Sequence, residues 1–523
     1  MAGAPPGRRR GGGVLARPSP RPLLPGYRVG IRRQPGVGRH RRSPGKPPGT
    51  AGPAHPCGSL LLHRELRGRP RDRDGDGGAR GHHMGVSQKV GVAPSPNGVG
   101  AAASETANQP VRAGLRARAV RRLPSRLQAW LRAVDDAAHQ RLYRPLHFLT
   151  LIRDARANPS GPARPEGERR QYVRALVDWL KRGHDAVGGQ GVAAYYGFAE
   201  GWSAAYPETT GYIINTCLEA ADRLGDPDLA ARARRLADWE LEVQMPEGAW
   251  QSGLTTVPPV PAVFNTGQVI QGLIAAHRAF GHARYLEAAA RGGRWLVANQ
   301  DVDGAWRRHT YRGFANSYST RVAWPLVDLA RATGERRFEE AAVRYLEWAA
   351  RCQDESGWFD HCSLEPGEPA LTHTLAYTME GFLESSVLLG TDRWLRVAQR
   401  TADSLLHRYE VRRHLAGAYD RGWRGDHSFA CMTGCAQVGL VWCRLYQVTG
   451  DARYLNAALK INDFVVTFID LRSAWPEMRG AVKGSHPVWG PYMRFRLPSW
   501  AAKFTVDSLL REEEALAGLE DRS

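Results

Sequence analysis

The sequence predicts an all-α fold, an (α/α)6 toroid of six helical hairpins, and three observations support it. A glycine follows an apolar helical run five times, at intervals of 56, 53, 56 and 60 residues, at Gly225, Gly281, Gly334, Gly390 and Gly450. Each glycine opens a similar amphipathic phrase, and a second run that is apolar on nearly every side lies between two phrases. A repeat of this length holds two helices, a loop and a short turn, as stacked helical hairpins do.

The repeated phrases predict the outer helices of the ring. In the copy after Gly281, Tyr285, Leu286, Ala289 and Trp295 follow helical spacing, while arginine and glutamate take the other face. The partner runs predict inner helices, because a helix that is apolar all round is a buried one. They read TTGYIINTCLEAA, NTGQVIQGLIAAH, STRVAWPLVDLA, LAYTMEGFLESS, TGCAQVGLVWCRL and WAAKFTVDSLL. With RRQYVRALVDWLKRG as the first outer helix, six hairpins close a ring, and the glycines mark its rim away from the central cleft.

The net charge of +20 belongs to the front of the chain. Residues 1–167 hold 31 Lys and Arg against 9 Asp and Glu, whereas the rest hold 41 against 43. A folded domain that binds nucleic acid carries its positive charge on its own surface, so we expect no nucleic-acid partner. The composition predicts a disordered Arg-, Gly- and Pro-rich extension (1–113), an amphipathic helical segment and linker (114–167), a catalytic toroid (168–515) and a tail (516–523).

Membrane and export signals are not evident in the sequence. No run reaches the roughly 18 consecutive apolar residues of a membrane span, and no apolar stretch follows the early arginines as a secretion signal requires. We therefore expect a cytoplasmic protein without a transmembrane segment. The 7 cysteines are scattered and odd in number, which argues against a disulfide framework.

Three predicted outer helices end in related phrases, QMPEGAW (244–250), QDVDGAW (300–306) and QDESGWF (353–359). A glutamine at the helix end, a glycine turn and an aromatic anchor predict a staple between neighbouring hairpins. The phrases resemble the QW repeats of the squalene-cyclase and protein prenyltransferase superfamily, and this resemblance implies the same toroidal scaffold. The acidic DxDD motif of class II terpene cyclases and the prenyltransferase zinc set are not recognisable in the sequence. Asp301 and Asp303 fit turn positions instead.

Functional residues are expected where polar groups interrupt the starts of the inner helices, because those starts face the central cleft of a toroid. The predicted catalytic residues are Glu208, Asn316, Tyr318, Arg321, His373, Tyr377 and Glu380. The predicted substrate-binding residues are Tyr206, Asn265, Gln268, Trp306, His427, His486, Trp489, Tyr492, Arg494 and Lys503. Aromatic rings stack on sugars, and amides and arginine recognise hydroxyls and carboxylates, so the partner expected is a polysaccharide or oligosaccharide substrate.

Three reactions on an acidic, uronate-containing glycan fit these residue types, and the sequence leaves the choice open. A lyase needs an amide or arginine on the carboxylate, a base for the C5 proton and a tyrosine for the leaving oxygen. The predicted catalytic set resembles that of toroidal polysaccharide lyases. A C5-epimerase needs the same groups and a second proton donor. A glycoside hydrolase needs two carboxylates, for which Glu208 and Glu380 are the best pair, with Asp360 and Asp426 behind them.

Two functions of other classes stay open: a terpenoid cyclase or prenyltransferase-like protein, and a non-catalytic glycan-binding scaffold. A metal site is a further alternative, because His427, Cys431 and Cys435 fall at i, i+4 and i+8 and zinc accepts such ligands. A fourth ligand is not evident, and the Cys-His dipeptide of the lanthionine-synthetase toroids is absent from the sequence. We therefore expect no cofactor, with zinc and calcium as the weaker alternatives.

Overall fold

A computed structural model describes residues 145–157 and 165–520, residue 163 and isolated positions between 127 and 135. The predicted extension 1–113 lies outside the described residues. Helix α1 (Pro145–Arg156) precedes helices that alternate between an outer and an inner ring. The outer helices are α2 (Arg169–Asp185), α4 (Pro227–Glu242), α6 (Ala283–Ala298), α8 (Arg336–Arg351), α10 (Asp392–Arg412) and α12 (Ala452–Thr467). The inner helices are α3 (Pro207–Leu224), α5 (Val263–Phe280), α7 (Thr320–Thr333), α9 (Thr372–Leu389), α11 (Met432–Thr449) and α13 (Ser499–Glu520).

The inner helices form a closed ring. Each packs against the next in chain order, and α13 packs back on α3 and on the first outer helix, α2. The predicted toroid of six hairpins is therefore confirmed. Helix α13 continues through Glu520, beyond the predicted domain end at residue 515. Leu509, Leu510 and Ala515 are buried, whereas Leu516 and Leu519 in the last turn are exposed.

The five repeated glycines end inner helices α3, α5, α7, α9 and α11. Each is the C-cap in a left-handed conformation, with φ between 64° and 77°. Glycine adopts this conformation without the steric cost that a Cβ atom brings. No atom lies within 4 Å of the Cβ position at any of the five. These glycines therefore allow the turn between hairpins, as predicted, and are not required for close packing.

The glutamine staples between hairpins are also confirmed. The Nε2 group of Gln300 donates to the carbonyl of Gly304 at 2.9 Å and to that of Ala341 in α8 at 2.8 Å. Gln244 and Gln353 reach the next outer helix in the same way. Gly304 has φ 93°, and a Cβ atom there would lie 2.5 Å from the carbonyl oxygen of Arg344. The turn glycine is thus needed both for its conformation and for the close approach.

Trp306 belongs to such a staple, and its predicted role in substrate binding is wrong. Its side chain is 1% exposed and stacks on Tyr345 with ring centroids 4.6 Å apart. Its Nε1 group donates to the carbonyl of Leu296 at 2.9 Å. Trp250 is buried in the equivalent place of the preceding hairpin and donates to the backbone carbonyl of Glu240 at 2.9 Å. The aromatic anchor of the repeat faces the interhelical core because it completes the turn.

Each hairpin also caps the inner helix of the hairpin before it. The first N–H of α5, at Val263, donates to the carbonyl of His309, 2.8 Å away in the loop that leads to α7. The corresponding bonds run from Ser317 to His361, Thr372 to Gly417, Met432 to Gly484 and Ser499 to Ala194. Helix α3 begins with Pro207, which has no N–H to satisfy. The bond from α13 to Ala194, in the loop of the first hairpin, closes the circle.

Short strands join the same loops. Strand β1 (Tyr195–Gly197) pairs antiparallel with β2 (Gly201–Trp202) and with β8 (Arg496–Pro498), so that Tyr196 lies opposite Leu497. Strand β3 (Ala370–Leu371) pairs with β4 (Ala418–Tyr419), which also pairs with β5 (Gly425–Asp426), and β6 (Ala430–Cys431) pairs with β7 (Ser485–His486). The β1–β8 pair links the first and sixth hairpins, and the β3–β4 and β6–β7 pairs link other neighbours.

Helix α1 contacts the loop of the sixth hairpin through a buried ion pair. Asp154 Oδ1 lies 2.5 Å from Lys483 Nζ, and Oδ2 accepts a bond of 2.7 Å from the backbone N–H of Val488. Burial raises the pKa of Asp154, but the charge of Lys483 and the hydrogen bonds outweigh it and hold the pKa below its usual range. His486 is 1% exposed, accepts from Lys483 at 3.0 Å and stacks on Phe468. Its predicted substrate-binding role is therefore wrong.

The predicted amphipathic segment 114–167 is described mainly as α1. Leu151 is buried, whereas Phe148 and Leu149 are exposed, so the helix has one face on the toroid and one outward. Among the helices of the described residues, none combines the length and apolarity that crossing a membrane requires.

We expect Gly304→Ala to destabilise the protein by about 2 kcal/mol or more, because it adds backbone strain to an overlap with Arg344. Gly281→Ala is the matched control, since Gly281 has φ 72° but nothing within 4 Å of its Cβ position. It should cost about 1 kcal/mol. Chemical denaturation measures the free energy of unfolding of both variants. Equal losses of stability would contradict the packing role of Gly304.

We expect Asp154→Ala to destabilise the protein by about 3–5 kcal/mol, because it leaves the Lys483 ammonium buried without its partner. Asp470→Ala is the control: Asp470 pairs with Arg153 at 3.6 Å, and both side chains are more than a third exposed. An exposed pair is worth about 1 kcal/mol at most. A melting temperature for Asp154→Ala no lower than that of Asp470→Ala would show that α1 is not anchored by this pair.

Candidate active site at the starts of the inner helices

The loops that precede the inner helices form the face on which a site is expected, and their backbone is strained. Every described non-glycine residue with positive φ lies between the end of an outer helix and the start of the next inner one. They are His309, Arg312, His361, Arg413, Trp423, Met493 and Phe495. Such conformations cost about 1–3 kcal/mol each and concentrate at functional sites. The positive N-terminal dipole ends of the inner helices meet on this face.

Side chains from the inner helices and their loops form one central cluster on this face. We define it by the following members: Tyr206, Glu208, Asn265, Phe264, Tyr318, His373, Tyr377 and Tyr492. The phenol of Tyr206 donates to Glu208 Oε2 at 2.5 Å, and the amide of Asn265 donates to the carbonyl of Gln251 at 2.7 Å. The rings of Phe264 and Tyr377 have centroids 5.1 Å apart. The cluster thus joins groups that the sequence separates by almost three hundred residues.

His373 is a neutral base in the cluster. Its Nδ1 atom lies 2.5 Å from Gln437 Oε1. Because an amide oxygen only accepts, Nδ1 carries the proton and Nε2 keeps its lone pair. Burial lowers the pKa of His373 to about 4, against the bond to Gln437, which raises it. Its ring lies 4.3 Å from that of Tyr377 and 5.5 Å from that of Tyr492.

Glu208 is the acid of the cluster. Burial raises the pKa of Glu208 to about 7, although the bond from Tyr206 and the charge of Arg321 lower it. A carboxyl group with this pKa is part protonated near neutral pH, which suits a general acid. Glu208 lies on α3 and His373 on α9, and these two helices lie opposite each other in the order of the ring. The acid and the base therefore lie on opposite sides of the centre.

Tyrosines surround this pair. The ring of Tyr318 lies 5.7 Å from that of Phe264. The hydroxyl of Tyr492 accepts a bond of 2.8 Å from Trp500 Nε1. Burial and then the charge of Glu208 raise the pKa of Tyr206 far above its usual value, so this phenol keeps its proton.

Arg321 and Glu380 lie inside the ring of helices, one turn along from Tyr318 and Tyr377. Arg321 Nη1 lies 2.5 Å from Glu380 Oε1, and Nη2 donates to Gln268 Oε1 at 3.1 Å. Arg321 is 0% exposed, so it cannot meet a substrate carboxylate. We therefore correct the predicted catalytic roles of Arg321 and Glu380 and the predicted substrate-binding role of Gln268. These three side chains bind one another inside the ring and support the cluster from there. The Arg321 guanidinium lies 5.5 Å from the Tyr377 ring centroid.

Lys503 also lies inside the ring. Its Nζ atom lies 2.5 Å from Asp507 Oδ2, one turn further along α13, and 5.2 Å from the ring centroid of Tyr212. The side chain is 4% exposed. The ammonium group is enclosed by inner helices α3 and α13 and pairs with Asp507, so Lys503 is not a member of the cluster.

Asn316, Trp489 and Arg494 flank the cluster. Asn316 lies next to Tyr318 in the chain, but its amide donates to the carbonyl of Phe314 at 3.1 Å and holds the loop. Trp489 is half-buried against the core, in the loop that carries Tyr492. The guanidinium of Arg494 lies 5.3 Å from the ring centroid of Phe495. These three predicted residues shape the loops around the site.

The candidate metal ligands do not form one helix face. Helix α11 begins at Met432, so only Cys435 of the three lies within it, and His427 in a loop bonds to His414 at 3.1 Å. Burial raises the pKa of Cys431 to about 12, so this thiol stays protonated. Within the part of the chain that the structure describes, no three His, Cys, Asp or Glu side chains could hold a metal ion. The described cysteines are free thiols.

Phe264 and Gln437 had no assigned role before the structure. Phe264 contacts both Tyr318 and Tyr377, and Gln437 orients the imidazole of His373. Phe264 directly precedes Asn265 at the start of α5, the same helical position that singled out the predicted residues. That position was the available signal, but an apolar phenylalanine there resembles an ordinary core residue.

The family model of the squalene-hopene cyclase C-terminal domain matches residues 198–381, the part that holds the three glutamine phrases. An unsaturated glucuronyl hydrolase specific for heparin is similar in structure, with 14% identity, a TM-score of 0.53, and coverage of 67% of this chain and 98% of that one. The chain is an α/α toroid. No curated protein sequence matches it.

Two further structures have the same fold. One is an unsaturated glucuronyl hydrolase from Bacillus sp. GL1, described as responsible for glycosaminoglycan degradation, with 14% identity, a TM-score of 0.53 and coverage of 66% and 96%. The other is a cellobiose 2-epimerase from Bacillus thermoamylovorans, with 12% identity, a TM-score of 0.51 and coverage of 65% and 98%. At these identities the likeness establishes the fold alone.

The part of the chain that matches the cyclase family model is similar to it as a scaffold. Asp301 and Asp303, inside the matched span, both pair with Arg307 at 2.9 and 2.7 Å on the surface. Asp303 also accepts from the backbone N–H of Ala305 at 3.2 Å. The two carboxylates are therefore turn residues, as predicted.

We expect the stability of the wild-type protein to fall, relative to Glu208→Gln, as the pH rises from about 4.5 to about 7. Burial raises the pKa of Glu208 to about 7, so over this window the folded state keeps a proton that the unfolded chain releases. Urea denaturation of both proteins at about pH 5 and about pH 8 measures the difference. Glu335→Gln is the control, because Glu335 forms ion pairs with Arg294 and Arg337 on outer helices, away from the cluster. A pH-independent difference would contradict the raised pKa.

Proposed function

We propose that the protein is a carbohydrate-active enzyme that transfers protons at C5 of a uronate residue in an acidic glycan. The observation that supports this most is the placement of His373 and Glu208. A neutral base with a free lone pair and a carboxyl group with a pKa of about 7 lie on opposite helices of one ring. Such an arrangement suits removal of a proton from one face of a sugar and return of a proton to the other.

The residue types of the cluster favour a sugar as substrate. Aromatic rings provide surfaces for the apolar faces of a pyranose, and phenol, amide and carboxyl groups bond to its hydroxyls. The similar structures with TM-scores of 0.5 or more include enzymes named as glucuronyl hydrolases and a cellobiose epimerase. Their names support a carbohydrate as substrate here.

The helix starts favour an anionic sugar. Inner helices that converge with their N-termini on one face create a positive potential there, which attracts a carboxylate. Arg321 is paired with Glu380 and cannot serve as the carboxylate clamp. In this proposal, the helix N-termini take that part, because the Asn265 amide already donates to the carbonyl of Gln251 at 2.7 Å.

Proton transfer at C5 follows from these roles. His373 Nε2 takes the C5 proton, and the electrons of the broken C–H bond pass into the substrate carboxylate as an enediolate. In epimerisation, the protonated Glu208 carboxyl, bonded to Tyr206, delivers a proton to the opposite face of C5. In elimination, the same electrons expel the C4 oxygen, and Tyr377 next to His373 protonates this leaving group. Placement of acid and base on opposite sides favours epimerisation.

Hydrolysis with two carboxylates is less well supported. Glu380, the predicted partner of Glu208, is bound to Arg321 inside the ring. Asp360 forms an ion pair with Arg421, and Asp426 is exposed in β5. A hydrolase would need a second carboxylate next to Glu208.

The test is incubation with glucuronate- and mannuronate-containing polymers in deuterated buffer. Deuterium at C5 measured by NMR is the expected result, absorbance of an unsaturated product would indicate the lyase, and new reducing ends alone would indicate a hydrolase. His373→Ala and Glu208→Gln should each lower the rate by about 10²–10⁴-fold. His407→Ala, at an exposed histidine of outer helix α10, is the matched control and should keep full activity. If the polymers are unchanged and gain no deuterium, the proposal is wrong, and the result would favour the alternative of a non-catalytic glycan-binding scaffold.

A further inference from the structure

A cavity lies beside the central cluster, between the loops that lead to α7 and α9. Its volume is about 360 Å³, and its lining residues are Phe314, Asp360, His361, Ser363, Pro366 and Gly367. Pockets for small molecules commonly hold about 300–1,000 Å³. None of these side chains takes part in the proton transfers proposed above.

Tyr318 is the member of the cluster that lies nearest in the chain to the cavity wall at Phe314. Asn316 donates to the carbonyl of Phe314, and the backbone N–H of Ser317 donates to the carbonyl of His361 at 3.0 Å, so the cavity walls are tied to the residues beside Tyr318. Through these two bonds the cavity adjoins the part of the chain that carries Tyr318 into the cluster.

The walls of the cavity are held in place before any ligand arrives. His361 has φ 62°, and Arg312, with φ 61°, pairs with Glu365 at 2.8 Å across the two loops. Ser363 is 8% exposed, and its hydroxyl donates to the carbonyl of Glu365 at 2.7 Å. A preformed wall lowers the entropy cost of binding.

The lining favours an uncharged sugar residue. Phe314 is half-buried and can lie against the apolar face of a pyranose. The Asp360 carboxylate accepts hydroxyl or amide protons but repels another carboxylate. Asp360 also pairs with Arg421 at 3.4 Å, and both side chains are more than a third exposed, so water weakens the effect of both charges.

We propose that this cavity is a subsite for the sugar next to the reacting uronate, and that it selects a neutral or N-acetylated residue. The substrate is then an alternating glycan of uronate and uncharged sugar. This inference rests on the proposed function, because the central cluster must hold the uronate for the cavity to hold its neighbour.

The experiment compares two tetrasaccharides by calorimetry, one of alternating glucuronate and N-acetylglucosamine and one of mannuronate only. The Glu208→Gln background prevents turnover during the measurement. We expect the alternating tetrasaccharide to bind about tenfold more tightly, and Phe314→Ala to remove most of this advantage. Asp360→Asn should improve binding of the all-uronate tetrasaccharide and narrow the preference to about threefold.

Two control variants match these changes. Trp475→Ala removes an aromatic ring that is 41% exposed, and Asp301→Asn removes a surface carboxylate that pairs with an arginine. Neither residue lines the cavity, so both controls should keep the tenfold preference. If Phe314→Ala and Asp360→Asn both keep the preference for the alternating tetrasaccharide, the cavity is not the proposed subsite.

Failure of the proposed function has a different signature. If the tetrasaccharides bind and Phe314→Ala weakens that binding, but wild-type protein incorporates no deuterium at C5, the cavity is a glycan site without the proposed chemistry. Deuterium could enter C5 while the preference for the alternating tetrasaccharide is absent, or is unchanged by both variants. That result would support the proposed proton transfer and contradict the subsite. Absence of binding and of deuterium together would overturn both.

Discussion

The structure depends on the way each hairpin satisfies the helix start of its neighbour. The first N–H groups of an α-helix have no partner within the helix, and here they are enclosed by loops. Val263 uses the carbonyl of His309, and Ser499 uses that of Ala194 at the other end of the chain. No single hairpin can complete its own inner helix in this way. Stability is therefore shared around the ring, and the last hairpin must meet the first.

The same constraint creates the candidate site. A loop that caps a neighbouring helix must turn sharply above it, which explains why residues such as His309 and His361 adopt positive φ on this face. The enclosed helix starts remove water from His373 and Glu208, and burial moves the pKa of the first to about 4 and of the second to about 7. A scaffold that resembles a cyclase domain thus encloses a polar centre of its own.

The corrected residues share one physical cause. A polar or aromatic residue near a helix start has several directions open to it, and the neighbours that decide among them are distant in sequence. Arg321 meets Glu380 inside the ring, and His486 meets Lys483 and Asp154 beneath α1. Trp306 completes the turn of its own staple. Local pattern predicts that such residues matter but not which side of the ring they face.

By itself the sequence determined the repeat, because a glycine turn and helical apolar spacing are local properties that each hairpin expresses again. It also determined that Tyr206, Glu208, Asn265, Tyr318, His373, Tyr377 and Tyr492 stand at or before helix starts on one face. Tertiary structure alone decided which of these groups meet, since closure of the ring sets α3 opposite α9. It also decided their protonation, because burial is a property of the assembled ring and of no single hairpin.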